Sequence, residues 1–401
     1  MLSVSALPME LTVQSGALLL LIAVVVAMLT QRLNLPYSVG LVAAGIALAF
    51  LRFSNGIALT KDLLFTVLLP PLIFQAAFYL DWRRLRRDLG IIVVLATVGV
   101  ILAAGITTVG MHYLANWQWL SALVFGVLIA ATDPVSVIAT FREAGARGRL
   151  VLLVEAESLF NDGTAAVFFA MILELLKGRS PTPYETAVQL LLTAGGGLLC
   201  GWIIAGLALL LAGNTKDHLI EIALTTVAAY GSFLFAEQFH MSGVLATLSA
   251  GLMLGNVGSR GWISDRGKET VQDLWEYAAF VANSLIFLLI GIHVGMQDFR
   301  AVWPAALIAI VLVTLGRAAA VYPCCALFLR STQRVPMKQQ HVLFWGGLRG
   351  ALALALALAL PPEVVERETI ITISFAVVAF SIFVQGLTMK PLLGAAGELP
   401  S

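Results

Sequence analysis

Between Val154 and Phe169 the chain reads VEAESLFNDGTAAVFF. Three carboxylates (Glu155, Glu157 and Asp162), an amide (Asn161) and two hydroxyls (Ser158 and Thr164) sit inside an otherwise apolar stretch. On a helix, Glu155, Ser158 and Asp162 fall on one face, three and four residues apart, while Glu157 and Asn161 fall on another. One face therefore ends in a free acid, and the other couples an acid to an amide. Carboxylate, hydroxyl and carbonyl oxygens suit hard ions such as Na⁺, Li⁺ or K⁺, whereas a transition metal recruits histidine or cysteine. The five histidines show no ligand spacing and read as residues at span ends.

Two further stretches carry polar groups of the same kind. In LIAATDPVSVIATF, Pro134 lacks an N–H, so the carbonyl of Ala130 loses its helical donor. Asp133 precedes the proline and is pushed toward extended backbone. A break is expected there, beside the Thr132 hydroxyl and the Asp133 carboxylate. The plainer reading is a proline kink with Asp133 as a buried hydrogen-bond partner. In FWGGLRGALALALALALP, Gly346, Gly347 and Gly350 loosen the helix around Arg349. Close helix packing explains such glycines, but not an arginine at their centre. A further arginine, Arg317, lies inside VTLGRAAAVYP.

The elements that must position these groups follow from composition. The 401 residues are 60% hydrophobic and 12% charged, with net charge +1 and mean hydropathy +0.94. Soluble domains carry about 25% charged residues. Crossing a bilayer takes roughly 20 apolar residues per helix. Segments of that kind fill nearly the whole chain, so the expected class is an all-α polytopic membrane protein. Thirteen apolar segments are discernible, at 11–31, 35–53, 60–80, 90–115, 118–141, 149–176, 184–212, 217–238, 241–258, 272–296, 301–329, 338–360 and 368–389. The three cysteines lie inside such segments and read as packing residues. No basic stretch precedes the first segment, which argues against a cleaved signal peptide.

The Lys and Arg residues set the orientation. Of 24, sixteen fall in one set of loops, six in the opposite set, and Arg317 and Arg349 within spans. This bias places the N-terminus outside and the C-terminus in the cytoplasm. The loops are short, so no soluble regulatory domain is expected among these residues, and the chemistry must happen within the membrane. A charge at the bilayer centre costs roughly 2.5–3.5 kcal/mol on insertion scales. Asp133, Glu155, Glu157, Asp162, Arg317 and Arg349 are therefore the functional candidates. Glu221 and Glu237, nearer span ends, read as side chains reaching for the interface.

The interrupted spans are the fifth and the twelfth. Two six-helix halves joined by a seventh span make them the fifth member of each half. Paired interruptions at matching positions point to a transporter built on inverted repeats, with its ion site where the broken helices cross.

The motifs ATDPVSV, ESLFNDGTA, FHMSGVLATLSAGLMLGN and GGLRGALALALAL, in this order, resemble the Na⁺/H⁺ antiporters of the NhaP and NHE type, within the monovalent cation:proton antiporter superfamily. The resemblance spans essentially the whole chain. It implies the NhaA-like fold of about 13 transmembrane helices, with two unwound helices crossing. It also implies a homodimer in which a mobile transport part (90–176 and 301–390) works against a scaffold (11–80 and 184–296). By the same resemblance Thr132, Asp133, Ser158, Asn161 and Asp162 match ion-site positions, with Na⁺ held at Asp162, Asp133, Thr132 and Ser158. Glu157 matches a glutamate that pairs with an arginine, here Arg317. Arg349 is the alternative partner, or a shield for the crossing helix ends. Gln75 stands where many relatives carry glutamate.

A carboxyl group in a low-dielectric pocket holds its proton more tightly than in water. Asp162 can then exchange a proton for a cation, and the loaded site, near neutral, crosses more readily than the empty anion. Because Asn161 cannot take a proton, the resemblance implies one cation for one proton. The expected function is Na⁺(Li⁺)/H⁺ antiport serving pH and sodium homeostasis, with no cofactor, no nucleic acid and no enzymatic step. The expected location is the lipid bilayer of a prokaryotic plasma membrane. The competing readings are a K⁺/H⁺ antiporter of the same fold, a cation channel, and an intramembrane aspartyl protease using Asp133 and Asp162. The channel lacks a filter-like loop, and the protease lacks its companion motifs.

Overall fold

The computed structural model describes residues 13–33, 35–51, 59–133, 138, 141, 148–176, 182–258 and 261–398. Among these residues the regular structure is entirely helical. The helices are α1 (Val13–Leu33), α2 (Tyr37–Phe50), α3 (Leu63–Tyr79), α4 (Trp82–Ala115), α5 (Trp119–Leu128), α6 (Arg149–Leu176) and α7 (Pro183–Ala212). They continue as α8 (His218–Gln238), α9 (Gly243–Val257), α10 (Asp265–Met296), α11 (Trp303–Ala326), α12 (Met337–Trp345), α13 (Ala351–Leu358) and α14 (Arg367–Ala396). Eight of them are long and apolar enough to cross a membrane, and α2, α3, α5 and α9 are shorter apolar helices. Each overlaps one of the apolar segments of the sequence, with α12 and α13 sharing one.

Local chemistry starts and stops these helices. Asp81 accepts from the Arg83 N–H at the start of α4, and Asn116, in the left-handed region at φ 56°, follows its end. Thr182 and Glu185 cap the start of α7 reciprocally. Ser242 and Ser264 cap α9 and α10. Three helices widen into π turns, at Leu63–Leu68, Leu95–Gly99 and Ser381–Gly386. The first precedes Pro70 and Pro71. Pro71 has no N–H for the Val67 carbonyl, and the Tyr230 hydroxyl donates to that oxygen at 3.0 Å instead.

Several helices run past the bounds read from the sequence. The arginines at 83, 84, 86 and 87 lie on the first turns of α4, Arg266 and Lys268 on the first turn of α10, and Lys390 on α14. Treating basic residues as loop residues was the error, because long basic side chains can leave a helix toward water without ending it. Glu221 also differs from expectation. It is buried, and accepts from the Ser264 N–H at 2.9 Å and the Ser264 hydroxyl at 2.8 Å, so it fixes the start of α10.

Packing divides the helices into two sets: α1–α3 pack chiefly with α7–α10, and α4–α6 with α11–α14. In the first set, α2 crosses α10 backbone to backbone. A Cβ on Gly45 would lie 2.2 Å from the Leu288 carbonyl oxygen, and one on Gly291 equally close to that of Val42. α6 belongs to the second set and also touches α3, α7 and α9 of the first. The site is built on it.

Candidate cation site

Helix α5 stops at Leu128, and residues 131–133 continue without helical structure. Pro134, to which the sequence attributes the break, lies outside the described residues. The second break is 346–350, between α12 and α13. The two breaks meet: the Asp133 N–H donates to the Leu348 carbonyl at 2.7 Å. A Cβ on Gly350 would lie 2.2 Å from Asp133 Oδ2, so only glycine permits this approach. Irregular backbone within a membrane must be buried in protein or line a cavity, and this crossing does both.

Arg349 supplies the donors that the first break lacks. Its Nη1 donates to the carbonyls of Ala130, at 2.6 Å, and Ala131, at 3.1 Å. It thus acts as a cation at the C-terminal end of α5. Glu157 is partnered by Arg317, whose Nη1 and Nη2 donate to its two carboxylate oxygens at 2.7 and 2.9 Å. Arg317 Nη2 also donates to the Leu343 carbonyl, so one guanidinium joins α6, α11 and α12. The choice left open by the sequence is resolved: Arg317 holds Glu157, and Arg349 covers a helix end. Removing one partner of a buried pair typically costs about 3–5 kcal/mol.

Thr132 lies at the centre of the polar groups. Its hydroxyl donates to Ser158 Oγ at 3.1 Å and accepts from Asn161 Nδ2 at 3.1 Å. Asn161 Nδ2 also approaches Glu157 Oε1, at 3.4 Å. Ser158 and Asn161, assigned to different faces of α6, therefore converge on one residue of the broken span. The Thr132 backbone N–H donates to the Asp162 carboxylate. Asp162 Oδ1 and Asn161 Oδ1 are buried without any hydrogen-bond partner. Native proteins pair nearly all such atoms, so the bare Asp162 oxygen beside the crossing is a candidate place for a ligand that accepts lone pairs.

Asp133 and Asp162 open onto a cavity of about 340 Å³ between the two helix sets. Its wall includes Glu155 on α6, and Gln75, Glu276 and Asn283 on α3 and α10. Sequence reasoning placed Glu155 on the Asp162 face but gave no reason to choose Glu276 or Asn283. These are separated by seven residues, about two turns of α10, and that shared face was the available signal. Glu276 accepts from the Tyr79 hydroxyl at 3.0 Å.

Known proteins match this chain along most of its length. Residues 19–395 match the family described as sodium/hydrogen exchanger, transmembrane. The Na⁺/H⁺ antiporter ApNhaP of Aphanothece halophytica is 38% identical over 368 residues, covering 91% of this chain and 70% of that protein. The Na⁺/H⁺ antiporter NhaP of Pseudomonas aeruginosa is 35% identical over 343 residues, covering 83% and 81%. The sodium proton antiporter MjNhaP1 of Methanocaldococcus jannaschii shares the fold, with a TM-score of 0.76 at 21% identity over 96% of this chain and 98% of that one. The match over residues 19–395, together with relatives at 35–38% identity over most of the chain, places the chain in the sodium/hydrogen exchanger family.

Proposed function

We propose that the protein exchanges Na⁺, with Li⁺ as a competing substrate, for H⁺ across a prokaryotic plasma membrane. Asp162 holds the proton and the cation in turn. The observation that carries this reading is the bare, buried Oδ1 of Asp162 beside the helix crossing. A carboxylate in that position must take up a proton or a cation to remain dehydrated. Asp133, Thr132 and Ser158 supply further oxygens to the cation. Glu157 is neutralised by Arg317 and stays outside the exchange.

The set α4–α6 with α11–α14 is assigned as the transport part, and α1–α3 with α7–α10 as the scaffold. The site then moves with the first set relative to the second. A neutral load, Asp162 protonated or cation-bound, crosses the apolar boundary at lower cost than the bare anion. That difference alone couples the two fluxes. Asn161 leaves one titrating group at the adjacent pair of positions, which gives electroneutral, one-for-one exchange. The N-terminus is assigned to the outside and the C-terminus to the cytoplasm. The exposed apolar side chains of α1 and α7 then face lipid or a second subunit of a homodimer.

The test is proton movement in proteoliposomes on addition of Na⁺, Li⁺ or K⁺, with Asp162→Asn beside the wild type. Na⁺- and Li⁺-driven proton release that vanishes in the variant supports the reading. A K⁺ optimum would reassign the cargo within the same architecture, and undiminished exchange in Asp162→Asn would remove Asp162 from its role.

A further inference from the structure

One face of α6 lines two separate cavities. Toward its N-terminal end, Glu155, Leu159 and Asp162 line the 340 Å³ cavity described above. Toward its C-terminal end, Ala166, Val167, Ala170 and Glu174 line a second cavity of about 500 Å³, closed on the other side by α7, α8 and the start of α9. Residues 155, 159, 163, 166, 170 and 174 recur every three or four positions, so they form one stripe. Gly163 is the stripe position between the cavities, and Leu245 of α9 covers it. A Cβ on Gly163 would lie 2.3 Å from Leu245 Cδ2. Leu245 is itself buried.

Both cavities are walled by side chains that suit a hydrated cation. Glu155 and Glu276 line the first, and Glu174 and Glu237 the second, with Gln189 and His240. The stripe between them is apolar and small. At 1.5 Å per residue, Asp162 lies about 6 Å along α6 from Ala166, so a shift of roughly one turn carries it past Leu245.

We propose that Leu245, seated on Gly163, is the plug between the two halves of a single cation path, and that the cavity bearing Glu174 and Glu237 is the second mouth of that path. This rests on the exchange reading above. Leu245 belongs to the set assigned as scaffold and Gly163 to the set assigned as transport part, so their contact is among those that must slide. The glycine allows it, because α6 presents no side chain for the leucine to catch on.

The test places cysteines on the scaffold, where their accessibility reports the cavities and not the position of Asp162. Gln75→Cys lines the first cavity and Gln189→Cys the second. Each is exposed to a charged, membrane-impermeant thiol reagent in right-side-out and in inverted vesicles, with the wild-type chain and its three buried cysteines as blank. Gln75→Cys should react from one side only and Gln189→Cys from the other only. Adding Leu245→Ala should make Gln75→Cys reactive from both sides, and the milder Leu245→Val should move it in the same direction. Reaction of both cysteines from the same side would overturn the proposal, as would unchanged sidedness in the plug variants. Labelling needs no ion gradient, so its outcome is independent of wild-type exchange, which the proteoliposome assay reads separately. A size swap gives a second readout. Gly163→Ala should slow exchange by about tenfold or more, and Leu245→Ala in the same chain should restore it. Wild-type rates in Gly163→Ala, or no recovery in the double variant, would count against the plug.

Discussion

Arg349 Nη1 lies 2.6 Å from the carbonyl oxygen of Ala130, the atom that a proline at 134 deprives of its helical donor. The guanidinium replaces the missing N–H and sets a positive charge against the negative end of α5. Such a charge contributes up to about 2 kcal/mol in a partly buried setting. Arg349→Gln keeps a donor and loses the charge, so it should lower the unfolding temperature in detergent and depress exchange. Arg349→Lys should fall between Gln and wild type. Equal losses in Lys and Gln would show that fork geometry, not charge, is what this position supplies.

Glu157 and Arg317 should behave as a unit. Each of Glu157→Gln and Arg317→Gln should destabilise by about 3–5 kcal/mol. The double variant should be less destabilised than the sum of the two. Thermal or denaturant unfolding of the four proteins measures this, and strict additivity would contradict the pairing.

Thr132 has one lone pair to give. Its proton is committed to Ser158 and one lone pair to Asn161, which leaves a second lone pair for a cation. Thr132→Val should weaken apparent Na⁺ affinity by about tenfold, roughly 1.4 kcal/mol. Thr132→Ser should leave it close to wild type. An unchanged Na⁺ dependence in Thr132→Val would remove the hydroxyl from the ion's ligands.

Stoichiometry is tested through voltage. With an amide at 161, only Asp162 of that adjacent pair is left to take up a proton. Exchange in vesicles with a fixed pH gradient should then be indifferent to K⁺/valinomycin potentials of either sign. A steady current, or an equilibrium pH gradient that moves with voltage, would mean that a second proton is carried.

Much of this architecture was legible because membrane insertion constrains sequence strongly. The apolar segments located every helix, and the Gly346–Gly350 run located the second break. What stayed illegible was long-range. The resemblance favoured Arg317 as the partner of Glu157 and the residues alone left Arg349 open, because which guanidinium reaches it depends on how α11 and α12 lie against α6. The bond from the Asp133 N–H to the Leu348 carbonyl uses backbone atoms that every residue carries, so side-chain identity could not announce it. Glu221 was misread because a carboxylate near a span end looks alike whether it reaches water or caps another helix. The helix starts at Trp82 and Asp265 were missed for a related reason, since basic residues were counted as loop.

The Glu157–Arg317 pair joins residues 160 positions apart, and this bears on how the protein is made. At ~5–20 residues per second, a ribosome needs roughly ten to thirty seconds to deliver the arginine after the glutamate. During that interval α6 has its carboxylates without the guanidinium that will hold one of them, and without the Leu348 carbonyl that will fix the neighbouring break. The nascent helix must therefore wait in a setting that tolerates an unpaired acid, at the wet edge of the insertion machinery or with the acid protonated. Assembly of the site is a late event, completed only when the twelfth segment arrives, and a ribosome stalled before Arg317 leaves a chain whose site-bearing helix has no settled place in the bilayer.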